Sequence, residues 1–264
     1  MPDTSIAFYL GSFPVRWYGI LISSGMALGI LLAAWQAKKR GLDPDDLYSL
    51  CIWILPAAVI GARLYFVMMS WDYYSLHPGD ILKIWKGGLA FHGGLIAAVA
   101  VALIYVKKRK INFFTWADIL IPSVALGQSI GRWGNYFNQE AFGVPTDLPW
   151  GIFVAGAYRH PTFLYESLWD LAVFFVLTWL LTRPRKEGSV FAWYCILYSL
   201  GRFFVESLRT DSLMLGSWRV AQLVSVAFIL IGMGILYYLR KKPLYIPYKK
   251  ATIEHNHNKK KKKR

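Results

Sequence analysis

Seven apolar stretches recur along this chain, at residues 17–37, 47–69, 89–106, 113–133, 163–182, 190–208 and 220–239. Each is close to the ~20 residues a helix needs to cross the hydrocarbon core of a bilayer. In lipid, backbone polar groups have to be satisfied within the segment, so such stretches fold as helices. Hydrophobic residues make up 56% of the chain, which is the composition of an integral membrane protein. The fold expected is all-α, a polytopic bundle of seven transmembrane helices over residues 1–240. No basic lead and cleavage site precede the first stretch, so that helix is expected to be retained.

Orientation follows from charge. Lys38, Lys39 and Arg40 follow the first stretch, and Lys107, Lys108, Arg109 and Lys110 the third. Arg183, Arg185 and Lys186 follow the fifth, and Arg240, Lys241 and Lys242 the seventh. Basic loops that alternate this way are cytoplasmic, which puts the N-terminus outside and the C-terminus inside. The net charge of +15 is concentrated at one end: residues 240–264 hold 11 Lys and Arg against one Glu. That basic tail, residues 241–264, is expected to be disordered and to meet anionic membrane lipids rather than nucleic acid. Cys51 and Cys195 lie within apolar stretches and are expected to pack as small hydrophobes. No Cys/His spacing suggests a metal site.

The first and last stretches carry no charge, whereas the middle five each carry one or two ionisable groups. Given the inferred orientation, Tyr18, Arg63, His92, Arg132, Glu166, Arg202 and Glu206 all fall toward the external end. Asp118 falls near the inner surface, and Asp170 about two turns down its helix. Charges inside a membrane are costly and usually functional, so the expectation is a polar chamber open to the outer leaflet.

Three clusters carry the chemistry. Tyr198, Arg202, Glu206 and Arg209 are spaced i, i+4, i+8 and i+11, one face of a helix. Two arginines against one acid leave a surplus cation, which suits an anionic ligand and a phosphate in particular. Gly127, Gly131 and Gly134 let a neighbouring helix approach Arg132 closely; Asn135 and Asn138 follow where that helix ends, either capping it or touching a ligand. The third cluster is residues 85–94, in which glycine pairs flank His92. An imidazole at the mouth of a polar chamber is a candidate proton acceptor near neutral pH.

Five ordered motifs carry a resemblance: Arg16-Trp17-Tyr18-Gly19; Phe91-His92-Gly93-Gly94-Leu95; Gly131-Arg132-Trp133-Gly134-Asn135-Tyr136-Phe137-Asn138-Gln139-Glu140; Arg159-His160-Pro161-Thr162 with Tyr165-Glu166; and Arg202-Phe203-Phe204-Val205-Glu206 with Arg209. From Trp17 to about Leu239 the chain closely resembles the bacterial prolipoprotein diacylglyceryl transferase family. Tyr136 stands where that signature more often has Phe, and the Lys-rich tail matches no family motif.

The resemblance implies an enzyme of the bacterial cell membrane with its active site toward the extracytoplasmic side. It would move a diacylglyceryl group from phosphatidylglycerol to the lipobox cysteine of a preprolipoprotein that still carries its signal peptide. The products would be a thioether and glycerol 1-phosphate. Arg132 and Arg202 would bind the phosphate, and His92 would be the base for the thiol, with Glu206 or Glu140 as other acceptors. Tyr18, Gly93, Asn135 and Tyr198 would shape the headgroup pocket, with Glu140, Glu206 and Arg209 also at the substrate. No cofactor is implied. A secondary transporter would instead place its charges at the midplane between repeats, and a lipid-binding scaffold would need no base.

Overall fold

The computed structural model describes residues 5–244; the basic tail expected over residues 241–264 lies, from residue 245 on, outside them. Helices dominate: α1 (Trp17–Lys39), α2 (Pro44–Met69), α3 (Trp71–Leu76), α4 (Phe91–Arg109), α5 (Phe113–Phe137), α6 (Thr162–Leu181), α7 (Ser189–Glu206) and α8 (Val220–Leu239). Of these, α1, α2, α5, α6 and α8 are long and apolar enough to cross a membrane. The expected all-α fold needs one correction, because the described residues include three two-stranded antiparallel hairpins, one ahead of α1 and two between helices: β1 (Ile6–Leu10) with β2 (Phe13–Arg16), β3 (Ile152–Val154) with β4 (Ala157–Arg159), and β5 (Met214–Leu215) with β6 (Trp218–Arg219). The chain divides into two compact units, one of residues 43–113 and one formed by the remainder.

The smaller unit is a helical hairpin whose ends are set locally. Asp43 caps α2 by accepting from the Asp45 amide at 3.0 Å, and Pro44 occupies the first turn, where its missing N–H costs nothing. Lys107, Lys108 and Arg109 close α4, where cations complement the negative end of the helix dipole. Arg109 also reaches the Asp46 carboxylate at 3.0 Å, tying the end of α4 to the start of α2.

Between these ends the two backbones touch. A Cβ on Gly61 would fall 2.6 Å from the Gly93 carbonyl oxygen, so only glycine permits this approach. The connection between α2 and α4 is organised by Arg63, whose sequence position suggests a place in the polar chamber. Its guanidinium instead donates to four backbone carbonyls: Asp80 at 2.6 Å, Ile81 and Gly87 at 2.8 Å, and Gly88 at 2.9 Å. Five N–H donors on a planar fork suit a loop whose carbonyls lack regular partners.

In the larger unit, α5, α6 and α7 share a core of Ile121, Ala125, Val173, Leu177, Leu181 and Val190, and α8 packs along α7. Helix α1 lies on α5 through small residues; a Cβ on Gly25 would meet the Gly127 Cα at 3.5 Å. Asp118, at the start of α5, accepts from the Gly188 and Phe191 amides at 2.9 Å each and so caps α7 from a neighbouring helix. Arg185 stands 3.5 Å from the same carboxylate. That structural duty explains why Asp118 sits apart from the other charges.

Candidate active site

The opposite end of the same three helices collects the remaining charge. Arg132 stands near the end of α5, Glu166 and Asp170 in the first turns of α6, and Tyr198, Arg202 and Glu206 in the last turns of α7, with Arg209 one turn beyond. The α5–α6 contact that fixes this register is a reciprocal serine clasp. Ser129 Oγ donates to the Ser167 carbonyl at 2.8 Å, Ser167 Oγ donates to the Ser129 carbonyl at 2.9 Å, and Trp133 Nε1 donates to Ser167 Oγ at 3.1 Å. Ser129 lies one turn before Arg132 on α5 and Ser167 follows Glu166 directly on α6, so the clasp holds the two helices together beside those two side chains.

Glu166 is the hub. Its Oε2 lies 3.1 Å from Arg132 Nη1 and 3.7 Å from Arg209 Nη1, and its Oε1 pairs with Arg202. Arg202 Nη2 is also 2.6 Å from Glu206 Oε2, the i, i+4 partner along α7. Glu166 is 4% exposed and Glu206 2%, so these are buried pairs in which each charge needs its partner. Tyr198 adds a long contact, its hydroxyl 3.5 Å from Arg132 Nη2, and stacks on Tyr194 with ring centroids 5.3 Å apart. Arg132, Glu166, Trp169, Asp170, Tyr198, Gly201 and Arg202 line one small pocket.

The surplus cation read from the α7 stripe is therefore corrected. Glu166 and Asp170 arrive from α6, so three guanidiniums face three carboxylates in the cluster. Asp211 adds a fourth, accepting from Arg209 Nε at 2.9 Å and from Nη2 at 2.7 Å. Burial works against the charge of Asp211, and the Arg209 fork outweighs it, holding the carboxyl below its ordinary value. Arg219, from β6, steadies the end of α7: it donates to the carbonyls of Glu206 and Arg209, the latter at 3.0 Å, and to Ser212 Oγ at 3.1 Å.

The other residues singled out in the sequence make contacts of their own. Asn135 and Asn138 both donate to Glu140 Oε1, at 3.0 and 3.1 Å, so these three polar residues form a closed, exposed knot where α5 ends. Tyr18 of α1 packs its ring against Gly134 of α5, leaving no room for a Cβ there. His92 and Gly93 belong to the smaller unit. His92 is exposed in the first turn of α4, its ring centroid 6.4 Å from that of Tyr65. Gly93, expected to shape a headgroup pocket, is used for the close contact with Gly61.

Four contributors to the cluster escaped the sequence-based site: Glu166 as its hub, Asp170, Asp211 and Arg219. Glu166 and Asp170 had a signal, an i, i+4 acidic pair just inside an apolar stretch, which implies a counter-cation on a neighbouring helix. Arg219 and Asp211 had none, because their partners are backbone carbonyls and a neighbour two residues away.

Comparison with known proteins converges on one family. The sequence model of the prolipoprotein diacylglyceryl transferase family matches residues 5–238. A phosphatidylglycerol–prolipoprotein diacylglyceryl transferase of Clostridium botulinum is 47% identical over 247 residues, covering 90% of this chain and 97% of the relative. Proteins of the same name from Bacillus velezensis and Acaryochloris marina are 45% and 47% identical, covering 91% and 90% of this chain and 94% and 92% of their own lengths. With nearly the whole chain matched, this protein belongs to the prolipoprotein diacylglyceryl transferase family.

Proposed function

We propose that this chain is a multi-pass membrane enzyme that transfers the diacylglyceryl group of phosphatidylglycerol to a prolipoprotein. Family membership supports the reaction. The observation that carries the mechanism is the meeting of Arg132, Arg202 and Arg209 on the single buried carboxylate of Glu166. A carboxylate held by several guanidinium forks is chemically close to a phosphate diester held the same way. Glu166 thus keeps the forks ordered, and the lipid phosphate engages Arg132 and Arg202 as it arrives.

The nucleophile comes with the protein substrate, as the thiol of its lipobox cysteine. The sulfur attacks the glycerol carbon that bears the phosphate oxygen; a carbon–sulfur bond forms, the carbon–oxygen bond breaks, and glycerol 1-phosphate leaves with the bonding pair. Negative charge grows on the phosphate as the bond breaks, and ordered guanidiniums stabilise that charge without having to reorganise. A thiol is mostly protonated at neutral pH and the thiolate is the nucleophile, so the proton has to be accepted. His92 is the proposed acceptor on its chemistry alone, since an imidazole suits that task.

The topology proposed keeps seven crossings, with α4 and α7 joining the five more apolar helices, the N-terminus outside and the site toward the extracytoplasmic leaflet of a bacterial cell membrane. Alternation of the basic loops supports it. The substrate proteins would present their signal peptide in the membrane beside the site, and the basic tail would meet anionic lipid.

The test is to incubate purified protein with labelled phosphatidylglycerol and a lipobox peptide. Diacylglyceryl-modified peptide and glycerol phosphate are expected in equal amounts. Absence of both from a folded preparation would overturn the assignment.

A further inference from the structure

Asp170 is 2% exposed, and its Oδ2 has no hydrogen-bond partner among the described residues. The nearest cationic atom recorded is Arg132 Nε at 3.9 Å, too long for a hydrogen bond. A buried acceptor left in this state is costly, and native structures rarely tolerate one without a use. Glu206 Oε2 also lacks a hydrogen bond of good geometry among the described residues, but it has Arg202 Nη2 in ion-pair contact at 2.6 Å, and Glu166 is engaged by three arginines; Asp170 has no cation that close.

Asp170 also lines the small pocket, together with Arg132, Glu166, Trp169, Tyr198 and Arg202. Its surroundings supply cations for an anion, and Asp170 itself supplies an acceptor with unused capacity. A ligand that matches both features has a phosphate diester and, close beside it, a hydroxyl donor.

Phosphatidylglycerol is such a molecule, because its phosphate is esterified to a terminal glycerol with free hydroxyls. We propose that Asp170 is a headgroup-binding residue that accepts a hydrogen bond from the terminal glycerol of the lipid donor, so that the arginines hold the phosphate and Asp170 selects the alcohol. This rests on the transferase reading above. It assigns selectivity to an acceptor rather than to the guanidiniums, which grip any phosphate diester alike. Sites built to bond a substrate hydroxyl reject analogues that lack it, because the buried acceptor is then left unpaired.

The test compares phosphatidylglycerol with phosphatidylmethanol, which keeps the charged diester and has no headgroup hydroxyl, each in mixed micelles with a lipobox peptide. Wild-type protein should favour phosphatidylglycerol by roughly 10- to 100-fold in kcat/KM, the range for a hydrogen bond to a charged group. Asp170→Ala should lose the discrimination, its kcat/KM ratio between the two donors falling toward one whatever its absolute rates. Asp170→Glu, which keeps an acceptor, should retain part of it. Equal losses on both donors in an Asp170→Ala protein with the wild-type melting temperature would overturn the proposal. So would equal use of both donors by the wild type, a result that needs no variant to fold. Failure of the underlying transferase reading looks different: the wild type would modify no peptide with either lipid.

Discussion

The guanidinium of Arg132 lies 3.1 Å from Glu166 Oε2, joining α5 to α6 through two side chains that face one pocket. The same carboxylate also holds Arg202 of α7. Three helices are therefore cross-linked by charge at one end, and the cross-link includes the two arginines proposed to hold the lipid phosphate. On that reading stability and function are coupled at this point.

Removing the hub exposes that coupling. Glu166→Ala leaves Arg132 and Arg202 without their shared partner, and loss of one member of a buried ion pair costs about 3–5 kcal/mol. A clear fall in melting temperature in detergent is expected, together with loss of transfer. An unchanged melting temperature would mean that the hub contributes nothing to folding.

The contact between α2 and α4 tests packing apart from chemistry. Gly93→Val would press a branched side chain into Gly61 and Tyr65, and overpacking of this kind typically costs about 1–3 kcal/mol. The variant should show a lower melting temperature, and a variant as stable as the wild type would show that the helices separate easily.

Asp211 offers a pH test with a defined sign. Its carboxyl is held below its ordinary value by the Arg209 fork, so the interaction is present above the unfolded-state value and is lost as pH falls through the lower folded-state value. The apparent KM for phosphatidylglycerol should keep the Arg209 contribution through the ordinary carboxylate range and weaken only below it. Asp211→Asn should remove that acid-side dependence; an identical pH profile in the variant would exclude the coupling.

For His92 the readout is kinetic. If the imidazole accepts the thiol proton, His92→Gln should lower kcat/KM by roughly 10²- to 10⁴-fold and erase the acid limb of the pH–rate profile. A profile matching the wild type would move the role to another group.

Much of the helical skeleton was legible in the sequence because a crossing helix has to be apolar throughout. The stretch 220–239 coincides with α8, and 17–37 falls within α1 (Trp17–Lys39). The stretch at 113–133 stops short of Phe137 because the apolar run gives out there, yet α5 continues through Gly134 and Asn135. Residues 71–76 and the hairpins were not legible, being too short for periodicity to register. Arg132, Arg202 and Glu206 could be named from one-sided charge placement, but their balance could not. The i, i+4 rule sees Glu206 beside Arg202 and misses Glu166, 36 residues away on another helix. Arg63 shows the same limit, because nothing in its spacing reveals the loop carbonyls it serves.

The most direct measurement is kcat/KM for phosphatidylglycerol in Arg132→Lys and Arg202→Lys proteins of wild-type melting temperature. Lysine keeps the charge and loses the bidentate fork. If the paired guanidiniums grip the phosphate as the carbon–oxygen bond breaks, each variant should lose roughly 10²- to 10³-fold, the usual effect of removing one preorganised donor. Wild-type kcat/KM in either lysine variant would contradict the phosphate clamp.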